Sequence, residues 1–114
     1  MNNKDNKKLA QNELLKYKLR LAALEVMRLR LQKLEDEEVQ RQYEETAAAA
    51  ELTRIALESL PAREQQVLDR FYINRESGHV DRLCEELGYE TSNVYRMKNR
   101  ALGHFAEVLF GPQP

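Results

Sequence analysis

Apolar residues in the first half of the chain recur at helical rather than strand spacing, and nothing interrupts them. There is no proline before Pro61 and no glycine before Gly78. Leu, Lys, Arg, Glu, Gln and Ala dominate, so the pattern predicts helix over most of residues 6–58. Tyr17, Leu24 and Leu31 recur every seven residues, with Met27 and Leu34 three residues on, which makes a short heptad seam. Leu15, Leu19, Ala22, Val26 and Leu29 form a second stripe beside it. A helix apolar over so wide an arc must be covered on two sides, by its own neighbour, by a partner chain or by both, and assembly as a dimer or higher homo-oligomer is expected. The cluster Glu35-Asp36-Glu37-Glu38 either marks a bend between two helices or is a solvated part of one. Beyond it, Val39, Tyr43, Ala47, Ala50, Leu57 and Leu60 keep approximate helical spacing, and the run Ala47–Ala50 lets another backbone approach closely.

Ser59-Leu60-Pro61 is the first strong punctuation, because Ser caps helices and Pro fits a first turn, where its missing N–H is not needed. A helix is predicted to start there, to carry Val67, Leu68, Phe71 and Tyr72 on one face, and to end in the polar loop 74–78. The next helix, about Val80 to Leu87, shows one apolar stripe of Val80, Leu83, Cys84 and Leu87. Gly88 supplies a left-handed C-cap. Thr91 or Ser92 is placed to cap a last helix running to about Leu109, before Gly111-Pro112.

Charge changes this picture by its distribution. The formal net charge is −1, but residues 1–34 hold +6, residues 35–58 −6, residues 59–90 −3 and residues 91–114 +2. The basic arm (Lys4, Lys7, Lys8, Lys16, Lys18, Arg20) is either a second phosphate contact or a face balanced by the acidic segment in an antiparallel hairpin or dimer. No stretch approaches the roughly 18 apolar residues of a membrane span. The start of the chain lacks a signal-peptide core, and the single Cys84 allows no internal disulfide. A cytoplasmic protein without membrane contact is expected, with Cys84 as a small buried hydrophobe.

A short helix, a turn led by Gly88 and a longer helix with a basic polar face make the helix-turn-helix pattern. Val94, Met97, Ala101, Leu102 and Phe105 form the inward stripe of the last helix. Thr91, Ser92, Asn93, Tyr95, Arg96, Lys98, Asn99 and Arg100 point outward. Arg is suited to guanine and Asn to adenine, while Ser, Thr, Tyr and Lys hold phosphates. The acids Asp81, Glu85 and Glu86 lie on the preceding helix, whereas no acid stands between Thr91 and Ala106. A merely solvated helical hairpin would mix signs.

Four segments carry a family resemblance: Leu60-Pro61-Ala62-Arg63-Glu64; Val67-Leu68 with Phe71-Tyr72-Ile73; Leu83-Cys84-Glu85-Glu86-Leu87-Gly88-Tyr89; and Val94-Tyr95-Arg96-Met97-Lys98-Asn99-Arg100-Ala101-Leu102. Over about residues 59–110 the chain resembles the sigma-70 region 4 family and its phage and mobile-element relatives, the ArpU-like and RinA-like regulators of late phage transcription. The resemblance implies an all-α protein, with a helical coiled-coil arm over residues 1–58 and a helix-turn-helix domain over 59–114. It implies double-stranded DNA as ligand and RNA polymerase as a further partner. Thr91, Ser92, Tyr95 and Arg96 are then base readers, and Arg63, Asn93, Lys98, Asn99 and Arg100 backbone contacts. No region that would bind a −10 element or the polymerase clamp is visible, so a transcriptional regulator is implied rather than a sigma factor. A packaging protein similar to a terminase small subunit and a protein-docking module are the competing readings.

Enzymatic chemistry finds no footing in the residues. His79 and His104 lack metal-ligand companions at a workable spacing, a Cys84–His pair would place the thiol in an apolar stripe, and the four glycines are isolated. No catalytic residue, metal or cofactor is expected. Gly103, inside the last helix, signals a bend or a close approach.

Overall fold

Asp36 divides the long apolar stretch in two. The computed structural model describes residues 3–112, and there α1 (Asn3–Lys33) ends before a three-residue break and α2 (Glu37–Glu58) returns along it. The Asp36 carboxylate accepts from the backbone N–H groups of Glu38 (3.0 Å) and Val39 (3.3 Å), and Glu37 and Glu38 add negative charge at the positive end of the helix dipole. The acidic cluster is therefore the start of a helix. Its partner seam is Tyr17, Leu24, Met27 and Leu31, all buried or half-buried, whereas Leu34, expected in the same seam, sits exposed beside the break. Small residues on α2, Ala50, Thr53 and Ala56, are buried, and Thr53 turns its hydroxyl onto Ala49 O (3.1 Å).

α3 (Ala62–Leu68) opens one residue later than expected, with Pro61 at the N-cap position and Ser59 closing α2 instead, its hydroxyl donating to Ala56 O (2.6 Å). The helix continues into one turn of π-helix, Asp69–Ile73, closed by Asn74 N–H donating to Asp69 O (2.7 Å). The extra residue rotates the end of the helix relative to its start. Already before that turn the face divides: Val67, with Phe71, enters one apolar cluster with Leu83 and Val94, Leu68 enters another with Ile73 against it, and Tyr72 packs against both, so these residues do not share the single face expected of them.

α4 (His79–Leu87) and α5 (Thr91–Phe110) are joined through Gly88, whose φ of 70° is the left-handed conformation a C-cap requires. Leu83 and Val94 are wholly buried between them. Cys84 is only partly buried, its Sγ 3.8 Å from Thr91 Oγ1, which corrects the expectation of a fully enclosed thiol.

Residues 3–58 and 59–112 do not keep separate cores. Ala10 and Leu14 of α1, Ala56 and Leu60, Leu68 of α3, and Ala101, Leu102, Phe105 and Ala106 of α5 form one cluster. Burying a side chain such as Leu14, Leu68 or Phe105 contributes about 1.5–3 kcal/mol. The N-terminal half of α1 thus seats on α5 and on the π turn, where Lys18 Nζ also donates to Asn74 Oδ1 (3.0 Å). The opposite face of α1 is open: Leu15, Leu19, Val26 and Leu29 are each about half or more exposed, Leu19 at 73%. One of the two apolar stripes is covered within the chain and the other is not. No helix among the described residues is long and apolar enough to cross a membrane.

Candidate nucleic-acid interface

α5 starts at Thr91 itself. Glu90 occupies the N-cap position without a side-chain bond, so neither Thr91 nor Ser92 caps the helix as expected; Glu90 lies in extended backbone, and its carbonyl accepts from Asn93 and Val94. The hydroxyls of both residues sit on the exposed first turn.

Helical geometry then sorts the remaining positions into two groups. Ser92, Asn93, Arg96, Asn99 and Arg100 are exposed on the side away from the core, and Arg96 Nη1 donates to Asn93 Oδ1 (3.3 Å). A recess of about 310 Å³ is lined by Tyr89, Asn93, Arg96, Met97 and Arg100. Arg63, at the start of α3, stands at its edge because Nη1 donates to the Tyr89 hydroxyl (2.8 Å) and the guanidinium lies 5.8 Å from the centre of the Tyr89 ring.

Tyr95 and Lys98 belong to the other group. The Tyr95 ring meets Phe71 edge-on at 5.6 Å between centroids, and Lys98 Nζ lies 5.6 Å and 5.8 Å from the centres of the Phe71 and Tyr95 rings. His79 completes this aromatic group, edge-on to Phe71 at 4.9 Å. Both residues therefore flank α5 on the side of the π turn instead of sharing the face of Arg96. Spacing alone places Tyr95 one residue from Arg96 and cannot show the aromatic neighbour that draws it aside.

Electrostatics reinforce the split. Of the acids of α4, Glu86 is engaged away from α5, accepting from Gln66 Nε2 (2.5 Å) and Arg70 Nη2 (3.0 Å). His104, half exposed, has Nδ1 2.7 Å from Oε1 of the buried Glu64, tying α5 to α3. Burial pushes the Tyr72 phenol above its ordinary value, so it stays neutral and serves the core.

A second recess, about 200 Å³, lies further along α5 between Asn99, Arg100, Gly103 and Glu107 and the first turns of α1, with Asn6 and Lys7. Gly103, which costs about 1 kcal/mol relative to alanine in a helix, lies against a side chain and not another backbone: a Cβ there would stand 3.2 Å from Lys7 Cε. Asn6 is buried, and its Oδ1 has no hydrogen-bond partner. Sequence spacing does not place Tyr89 at this interface, and of the six basic-arm candidates for phosphate contact it does not single out Lys7 as one beside α5. Tyr89 is signalled only by its position after the Gly88 turn. Among the described residues no group of His, Cys, Asp and Glu is placed to hold a metal ion.

Comparison of the chain with protein-family models, with curated proteins and with solved structures returned no match.

Proposed function

We propose that α4, the Gly88 turn and α5 form a helix-turn-helix of the sigma-70 region 4 type, and that the protein is a sequence-specific, non-enzymatic transcriptional regulator of the phage or mobile-element kind. It inserts the outward face of α5 into the major groove. The observation that carries this reading is the one-sided charge of that face. Arg96 and Arg100 stand exposed together, Arg63 is held at their edge by Tyr89, no carboxylate lies between Thr91 and Ala106, and the nearby Glu86 is engaged elsewhere. Arg96, Asn93 and Ser92 are the base-edge readers, and Arg63, Asn99 and Arg100 contact the backbone, with Thr91 presenting its hydroxyl at the helix start. Tyr95 and Lys98 fix the flank of the reader against Phe71, with Lys98 adding positive charge.

The open stripe of α1 takes a second copy of this chain. Leu15, Leu19, Ala22, Val26 and Leu29 follow the alternating four- and three-residue spacing of a coiled-coil seam, and Glu25 and Arg30, five residues apart beside it, meet across a parallel pair. Two copies carry two readers, so the site is two half-sites about 10 base pairs apart or a multiple of that. The family resemblance adds RNA polymerase as partner of the DNA-bound protein.

Selection of binders from a random duplex pool across salt concentrations, with Arg96→Ala alongside, tests the reading. A recurring motif that the variant loses is the expected result. No enrichment, together with no binding at low salt, overturns it in favour of packaging or protein docking.

A further inference from the structure

The two recesses along α5 meet at Arg100, which lines both. One is bounded by Tyr89 and, through it, Arg63 of α3; the other by Lys7 of α1. A helix lying in the major groove has a phosphate backbone on each side of it, and a cation on each wall is what those two backbones ask for.

We infer that Lys7 is a phosphate-binding residue, gripping with Arg100 the DNA backbone on the wall of the groove opposite Arg63. This rests on the DNA-binding reading of α5. The absence of a side chain at Gly103 lets the aliphatic stem of Lys7 lie along α5; a Cβ there would be 3.2 Å from Lys7 Cε and 3.7 Å from Nζ. The half-buried stem carries the ammonium to the rim that Arg100 also reaches, so little side-chain freedom remains to be lost on binding. Lys7 forms no ion pair among the described residues. Glu107 is the one carboxylate lining this recess, and it opposes phosphate there.

The experiment is the binding of the full chain to its selected duplex and to a mixed-sequence duplex, as a function of salt. Lys7→Gln, Lys7→Arg, Glu107→Gln, Arg96→Ala and, as control at the far end of α1, Lys33→Gln are compared with the unaltered protein. Each phosphate contact contributes about 0.9 to the slope of log affinity against log salt. Lys7→Gln is expected to lower the slope by about that amount and to weaken both duplexes by the same factor; Lys7→Arg keeps the slope, Glu107→Gln tightens binding, and Lys33→Gln changes nothing. An unaltered slope in Lys7→Gln, while Arg96→Ala still loses sequence preference, overturns the role of Lys7 and leaves the reader standing. A lowered melting temperature for Lys7→Gln with the slope intact overturns it equally, since Lys7 is then structural. If the unaltered protein binds no duplex at any salt concentration, the reading of α5 falls and takes this inference with it.

Discussion

Ion pairs of the hairpin stay within one helix, whereas several side-chain contacts in residues 59–112 bridge elements. Arg28 pairs with Glu25, Arg41 with Glu38 and Glu45, Arg54 with Glu51 and Glu58, and Arg20 with Glu13, every partner lying on the arginine's own helix. In the second region Arg63 reaches Tyr89, Gln66 and Arg70 reach Glu86, and Glu64 reaches His104. Contacts of the first kind favour helix without fixing where the helix lies. Those of the second kind fix α3, α4 and α5 against one another. A recognition face needs fixed geometry; a helix that offers an apolar stripe to a second copy needs only to stay helical. The +6 and −6 segments do lie antiparallel, as their charges suggested, but their arginines answer to their own helices and the apolar seam holds the two together.

The two regions depend on each other most through the core that they share. Phe105→Ala is expected to cost about 3–5 kcal/mol and to melt hairpin and reader in one transition, because Phe105 sits with Ala10, Leu14, Ala56 and Leu68. Two separate transitions in chemical denaturation followed by circular dichroism would show the regions to be independent. His104→Ala removes a contact between elements and leaves the carboxylate of Glu64 buried without its partner. Because His104 is half exposed and screened, the loss should be about 1 kcal/mol, read as a shift in denaturation midpoint. Leu19→Glu, on the open stripe, should leave stability within about 0.5 kcal/mol while abolishing self-association in sedimentation; unchanged assembly would remove α1 as the seam. Smallest is Arg54→Gln. Arg54 holds the Glu51 carboxyl below its usual range, yet Glu51 is fully exposed, and the midpoint should barely move.

What could be read from sequence was what is local. The α4 stripe, the Gly88 cap and the exposed polar run from Ser92 to Arg100 depend on residues within one or two helical turns, and periodicity reports these directly. The hairpin was not readable in the same way. Stripes through Leu24 and through Leu19 are equally apolar, and spacing does not say which one meets α2. Asp36 was hidden among four consecutive acids, although only it has a side chain positioned to bond the N–H groups at the start of α2. The π turn was invisible because Val67, Leu68, Phe71 and Tyr72 fit α-helical spacing; the inserted residue shows only in the bond from Asn74 to Asp69. At the interface, the pull of Phe71 on Tyr95 and the crossing of Lys7 over Gly103 join residues far apart in the chain, which no single helical pattern contains.

The seat of α1 on α5 bears on how the protein comes into being. α1 packs against α5, which is made after it, so Ala10 and Leu14 cannot be fully buried until Phe105 has been made. Until then the nascent chain can close the pairings that do not need α5: α1 with α2, α1 with the π turn, and the π turn with α4. Docking of α1 on α5 is the contact of highest sequence separation, the kind that slows folding, and a chain stalled before α5 presents the open stripe of α1 and the incompletely covered Ala10 and Leu14 to whatever binds exposed hydrophobic helix.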